Sequence, residues 1–385
     1  MLAPMTSLEI LDKLVAFPTV SRDSNRDLIE FVRSFLAERN IEAELICTAD
    51  GQKANLFATV GPKNVPGVML SGHTDVVPVD DQNWSADPFR MRVSSGRAYG
   101  RGTADMKGFV ACALSLVGRM ADTKLSKPIH LAFSHDEEVG CIGVRFLIDE
   151  LAKRLVKPRF AIIGEPTLMR LATGHKGKIA ARATCCGVEG HSALAPKALN
   201  AIHLACDFVG FIRQSQQEIV EAGSRDEGYD VPYTTLHVGR IEGGTALNIV
   251  PGKCTVDFEI RNIGRDDGTA ILDRLTEGAM RIALKRRDAF SQADIRVDVV
   301  NQYPGLATPM DSEVVRFASR IVDHPNLFNV AFGTEAGLFS SRLGVPAVVC
   351  GPGSMDQGHK PDEFIALNQI EACDRMMDRL LDECR

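Results

Sequence analysis

Up to about residue 174 short apolar runs alternate with longer amphipathic stretches; the alternation then breaks off and resumes after about residue 304. That interrupted rhythm is the strongest constraint on the fold. Strand followed by helix, repeated, builds an open α/β sheet with helices over its faces. The spacing predicts helices over Leu8–Ala16, Asp27–Arg39, Met106–Met120 and Gly143–Lys153, and strands over Gly67–Leu70, Ile129–Phe133 and Phe160–Ile163. The pattern returns as helix Ser312–Asp323, strand Pro346–Cys350 and helix Leu367–Leu381. Between them the order is β-α-β-β-α-β. It runs from the Gly-punctuated ATGHKGKIAARATCCGVEG through helix Ala198–Gln214, strands Tyr233–Ile241 and Gly252–Arg261, and helix Thr269–Lys285 to strand Asp294–Val300. The expectation is an α/β domain of residues 1–174 and 305–385, with a mixed sheet flanked by helices. An α+β domain of ferredoxin-like order, residues 175–304, is inserted into it.

Composition narrows the function classes. With 385 residues, 45% hydrophobic and 24% charged, the chain can bury a large core and does not resemble a disordered one. A net charge of -6 with no dense Lys/Arg cluster argues against a nucleic-acid or membrane-surface partner. No apolar run approaches the roughly 20 residues that span a bilayer. At the start, MLAPMTSLEILDKLVAFPTV carries Glu9 and Asp12 within its apolar periodicity, which predicts an amphipathic helix and not a leader peptide. The ten cysteines form no C-x-x-C pair, and Cys185 and Cys186 are adjacent. They read as free thiols in a reducing cytoplasmic compartment.

Three carboxylates in a row follow one apolar run: Asp136, Glu137 and Glu138, in AFSHDEEVGC. Adjacent like charges repel, so something must hold them. The other predicted strands also end in His or acidic residues. SGHTDVVP supplies His73 and Asp75, GEPT supplies Glu165, and GPGSMDQGHKPDEF supplies His359. Ligands of open α/β sheets bind at the carboxyl ends of the strands. GRGTADMKGF adds Asp105 in a Gly-rich loop before a helix. His73, Asp105, Glu138, Glu165 and His359 make five His/carboxylate ligands without Cys, a set that suits zinc, cobalt or manganese. Five is too many for one open catalytic site and fits two divalent ions sharing a bridging carboxylate. Two such charges would also hold one carboxylate beside another.

SGHTDVVP, GRGTADMKG, DEEVG, GEPT and GHKPDEF, in this order and spacing, resemble the M20 family of metallopeptidases and aminoacylases over essentially the whole chain. The resemblance implies two divalent metal ions, Zn2+ or Co2+. His73 and Glu165 would hold one, Glu138 and His359 the other, with Asp105 bridging. It implies that Asp75 orients the His73 imidazole and that Glu137 is the general base. The residues agree on one point, because neighbouring strand-end side chains point apart and one glutamate can bind metal while the other faces water.

From the inserted domain the resemblance implies that His191, in GVEGHSALAP, stabilises the oxyanion, in many relatives from the partner subunit of a homodimer. In GGTALNIVPGKCTVDFEIRN it implies that Asn248 polarises the substrate and Arg261 grips its α-carboxylate. The plainer alternative for Arg261 is a strand-face ion pair with Glu259 or Asp257. In FGTEAGLF, Glu335 is expected to meet a cationic substrate side chain, or else to be a helix-start glutamate. The implied substrate is a small N-acyl amino acid, N2-acetyl-L-ornithine. A succinyl-diaminopimelate desuccinylase or a broad N-acyl-amino-acid amidohydrolase is the alternative.

Overall fold

The computed structural model describes residues 5–120 and 123–385. The principal strands are β1 (Ala43–Cys47), β2 (Ala54–Val60), β3 (Val68–His73), β4 (Ile129–Ser134), β5 (Phe160–Pro166), β6 (Lys178–Cys186), β7 (Thr235–Gly243), β8 (Lys253–Arg261), β9 (Asp294–Tyr303) and β10 (Ala347–Gly351). The principal helices are α1 (Ser7–Val15), α2 (Arg26–Ala37), α3 (Gly108–Arg119), α4 (Gly143–Ala152), α5 (Ala201–Ala222), α6 (Gly268–Arg287), α7 (Glu313–Ile321) and α8 (Leu367–Cys384). The chain forms two compact units. One is Met1–Gly174 with Leu306–Asn329 and Thr334–Arg385; the other is His175–Gly305 with Val330–Gly333.

The first unit is built on a mixed sheet ordered β1-β2-β4-β3-β5-β10, continued by short strands. β4, β3, β5 and β10 run parallel, whereas β1 and β2 are antiparallel additions. β3, β4 and β5 are buried along their whole length, as central strands covered on both faces must be. The mixed sheet flanked by helices agrees with the expected fold class. α3 is buried along nearly all of its length and packs against α1 and α8. α1 begins with a capping box, Thr6 and Glu9 each bonding the other's backbone N–H.

The second unit is a four-stranded antiparallel sheet ordered β7-β8-β6-β9. Along β6 and β8 buried residues alternate with more open ones. The buried set, including Ala181, Ala183, Val256, Phe258 and Ile260, packs with Leu204, Phe208, Leu275 and Ala279 of α5 and α6. α5 starts three residues later than the expected Ala198. The segment Ser192–Lys197, with Pro196, forms a 3-10 turn, and the Asn200 side chain caps the helix from Ile202 and His203 N–H.

Candidate metal centre

Because β3, β4, β5 and β10 are parallel, their carboxyl ends share one edge of the sheet. β3 terminates in His73. Beyond Ser134 the chain turns at Asp136, in the left-handed region at φ 55, and presents Glu137 and Glu138. Glu165 lies in the last residues of β5. After β10 the loop delivers His359, also left-handed at φ 62. Asp105 comes from an irregular turn, Thr103–Lys107, that precedes α3. The expected helix start at Met106 is therefore two residues early: Asp105 and Met106 have non-helical dihedrals, and the peptide between them is cis. Gly164 allows the close packing beneath: a Cβ there would lie 1.9 Å from the Phe109 ring.

All five expected ligands converge. His73 Nε2 is 3.0 Å from Asp105 Oδ1 and 3.7 Å from Glu165 Oε1. His359 Nε2 is 3.2 Å from the other oxygen of Asp105 and 3.0 Å from Glu138 Oε2. Asp105 thus faces one imidazole with each oxygen. Ligand atoms of His73, Asp105 and Glu138 fall within 4.8 Å of one another, and so do those of His73, Glu137 and Glu165. His73, Asp105 and Glu165 are buried, whereas the His359 side chain is 46% exposed.

The electrostatics fit a divalent cation. Burial, followed by the Glu138, Glu335 and Asp105 charges, pushes Glu137 up to about 8. Burial and Asp105 push Glu138 up to about 7, and burial and Asp105 raise Glu165 well above the usual carboxylate range. Burial works against ionisation of Asp105 too, but His359 and His73 hold it below its ordinary value. Hydrogen bonds to Asp105 and Glu138 raise His359 to about 10. Against its burial, Asp105, Glu165 and Asp75 raise His73 well above its ordinary value. The raised carboxyls of Glu138 and Glu165 and the raised imidazoles of His73 and His359 all favour holding protons, which is the positive charge a cation would supply instead. Those nitrogens and oxygens, freed of protons, are a hard-to-borderline N/O donor set.

Asp75 sits differently from the expectation. The closest partner of His73 Nδ1 is the backbone carbonyl of Asp75, at 2.9 Å; the carboxylate is 3.6 Å away. The Asp75 carboxylate instead accepts from Ser21 Oγ at 2.7 Å and from the backbone N–H of Glu137 and Glu138 at 3.1 and 3.3 Å. It fixes the acidic loop more directly than the imidazole. Lys53 pairs with Asp136 in the same loop. No motif marks Ser21 or Lys53, and their role is visible only in three dimensions.

Glu335 departs from its expected place. It is 1% exposed, and its oxygens accept from the hydroxyls of Ser71 on β3 and Ser134 on β4. A carboxylate committed to two buried hydroxyls is not open to a cationic substrate group; Glu335 braces the two strands that carry His73 and the acidic loop. It directly precedes the short helix Ala336–Leu338 but makes no side-chain cap bond to it.

In the second unit His191 and Asn248 come together. Gly190–His191 pairs with Ile249–Val250, and Ser192 N–H donates to the Asn248 carbonyl at 3.0 Å. Both side chains lie on exposed residues, and His191 Nδ1 accepts from Ala193 N–H at 3.1 Å. Arg261 donates to Glu259 at 3.1 Å and to the Tyr303 hydroxyl at 3.3 Å, the ion pair anticipated as its alternative.

A family model described as peptidase family M20/M25/M40 matches residues 69–383. The chain is 32% identical over 384 residues to a Pasteurella multocida protein named acetylornithine deacetylase, covering 97% of each. It is 33% identical over 373 residues to a Shigella sonnei protein of the same name, covering 94% of each. Among solved structures it is similar to an M20 family metallo-carboxypeptidase from Sulfolobus solfataricus, with a TM-score of 0.77 and 19% identity, covering 97% of this chain and 98% of that one.

Proposed function

The chain belongs to peptidase family M20/M25/M40 and is a metal-dependent hydrolase, and from that premise we propose that it removes the acetyl group of N2-acetyl-L-ornithine, releasing L-ornithine and acetate for arginine biosynthesis. The observation that carries the site reading is Asp105, with one imidazole on each oxygen and a second carboxylate beside each imidazole. The substrate reading is supported by the shared name of two relatives that match along nearly their whole length.

His73, Asp105 and Glu165 would hold one divalent ion, zinc or cobalt, and Asp105, Glu138 and His359 a second; when bound, such ions polarise an amide carbonyl and acidify water. Glu137 takes a proton from the attacking water and returns it to the leaving amine. Its carboxyl, raised by burial and by neighbouring carboxylates, is suited to holding a proton between those two steps. Asp75, through the amides of Glu137 and Glu138, keeps that base aimed. With His191 Nδ1 accepting from Ala193, the ring proton sits on Nε2, available to donate to the tetrahedral oxyanion. Asn248 adds a polar group beside it. Arg261 would exchange Glu259 for the substrate α-carboxylate, a bidentate task suited to a planar guanidinium.

The working form is a cytoplasmic homodimer. β7 is an edge strand of its sheet, and beside it Val209 and Ile212 of α5 line a groove with Leu236 and Val238. All ten cysteines are free, as a reducing compartment would keep them.

The deciding experiment is hydrolysis by chelator-stripped protein reloaded with zinc or cobalt, with N2-acetyl-L-ornithine and N-succinyl-diaminopimelate compared side by side. Metal-dependent turnover that favours the acetyl compound is expected. Preference for the succinyl compound would replace the substrate reading, and no metal-dependent turnover of either would overturn it.

A further inference from the structure

Arg101 and Glu363 form an ion pair at 2.7 Å in which both side chains are 1% exposed. Neither touches the carboxylates or imidazoles of the metal centre. Besides a bond from Arg101 to the Pro78 carbonyl at 3.4 Å, they reach the two segments that deliver its shared and most exposed members. Glu363 Oε1 accepts from the backbone N–H of Ala104 at 2.9 Å and of Asp105 at 3.1 Å. Arg101 donates through its other terminal nitrogen to Gln82 Oε1 at 2.5 Å. Trp84 Nε1 donates to the same oxygen at 3.0 Å, which leaves the Gln82 amide nitrogen pointing away to donate to the His359 carbonyl at 3.1 Å. Arg101 also reaches the Lys360 carbonyl, at 3.4 Å.

Buried ion pairs contribute little net stability compared with apolar residues of the same size, so stability alone is a weak account of this one. What it does hold is backbone. Asp105 lies in a turn with non-helical dihedrals, and His359 is left-handed at φ 62, a conformation that a residue other than glycine keeps only when its surroundings impose it. We infer that Arg101 and Glu363 are a positioning pair that sets the spacing between Asp105 and His359, one arm through the Asp105 amide and the other through Gln82. The inference rests on the metal reading above and goes beyond it, since none of these three residues is a ligand.

The arms make distinguishable predictions. Asp105 faces both imidazoles, so loss of the pair weakens both metal equivalents; loss of Gln82 weakens only the equivalent that uses His359. The test is titration of metal-free protein with zinc against a competing chelator, with the visible spectrum of the cobalt-loaded protein and the melting temperature of the metal-free protein recorded in parallel. In Arg101→Met combined with Glu363→Met, which removes both charges and the oxygen that accepts from the Ala104 and Asp105 N–H, both equivalents should bind roughly 10–100-fold more weakly, the usual cost of removing groups that orient ligands. In Gln82→Ala, at a partly exposed position, one equivalent should weaken and the other keep wild-type affinity. If the double variant does not fold, Gln82→Ala decides. Two equivalents bound with wild-type affinity overturn the inference, and so does a lowered melting temperature with unchanged affinities, which is what a merely structural role gives. Wild-type protein that takes up no divalent ion would instead remove the metal reading itself.

Discussion

Glu137 and Glu138 are neighbours in the chain with different company in space. Glu138 lies 3.0 Å from the His359 imidazole, while Glu137 Oε1 accepts from the Cys141 thiol at 3.2 Å. Glu137→Gln should therefore leave metal content intact and lower kcat by about 10²–10⁴-fold, the usual share of a general base; retained turnover would reassign the base. Metal uptake should depend on protons. Without cations, burial and Asp105 raise Glu138 to about 7, and hydrogen bonds to Asp105 and Glu138 raise His359 to about 10. Below those values the groups hold protons that an incoming cation must displace, so affinity rises with pH and protons are released on binding. Titration in buffers of different ionisation enthalpy measures that release, and affinity that is flat between about pH 6 and pH 8 would contradict it. The convergence of His73, Asp105, Glu138, Glu165 and His359 was legible in the sequence because each sits at or after a strand end or in a Gly-rich turn. The burial of Glu335 was not, because the serines that claim it, Ser71 and Ser134, lie 264 and 201 residues away along the chain.

At the scale of elements, buried central strands announced themselves and marginal ones did not. β3, β4 and β5 read as apolar runs because both their faces are covered. β1 went unpredicted because its residues AELIC are half-exposed at the sheet edge, and β2 because the apolar run of ANLFATV is broken by Asn55, its second residue. Asn55 is buried there with its amide on the Gly143 carbonyl, a partner that hydropathy cannot show. The late start of α3 is a similar case, since the apolar spacing runs unbroken through Met106 while the backbone does not. Where β5 meets α3 the packing is tight enough to test. Gly164→Ala would push a Cβ into the Phe109 ring beside Glu165. It should cost about 1–3 kcal/mol by overpacking. Urea denaturation checks this, and an unchanged midpoint would mean that Phe109 has room to yield.

At the scale of the whole molecule, the β-α-β-β-α-β order was legible because the strands of the four-stranded sheet and the helices packed on it are local in the chain. The pairing of two copies would be a property of the surface, to which periodicity is blind. Light scattering should give twice the chain mass, and Val238→Glu beside the β7 edge should lower it to one chain while metal content stays unchanged. A mass unaffected by that charge would place the contact elsewhere. β10 lies next to β5 in the sheet although Pro166 and Ala347 are about 180 residues apart. A ribosome adding about 5–20 residues per second would deliver Glu165 roughly 10–40 seconds before β10 and the His359 loop. During that interval the outer edge of β5 has no strand to pair with, while the stretch from His175 to Gly305 already carries all the strands of its own sheet. A centre built from His73, Asp105, Glu138, Glu165 and His359 is complete only once the His359 loop has been made, so loading of ions there would wait on that loop.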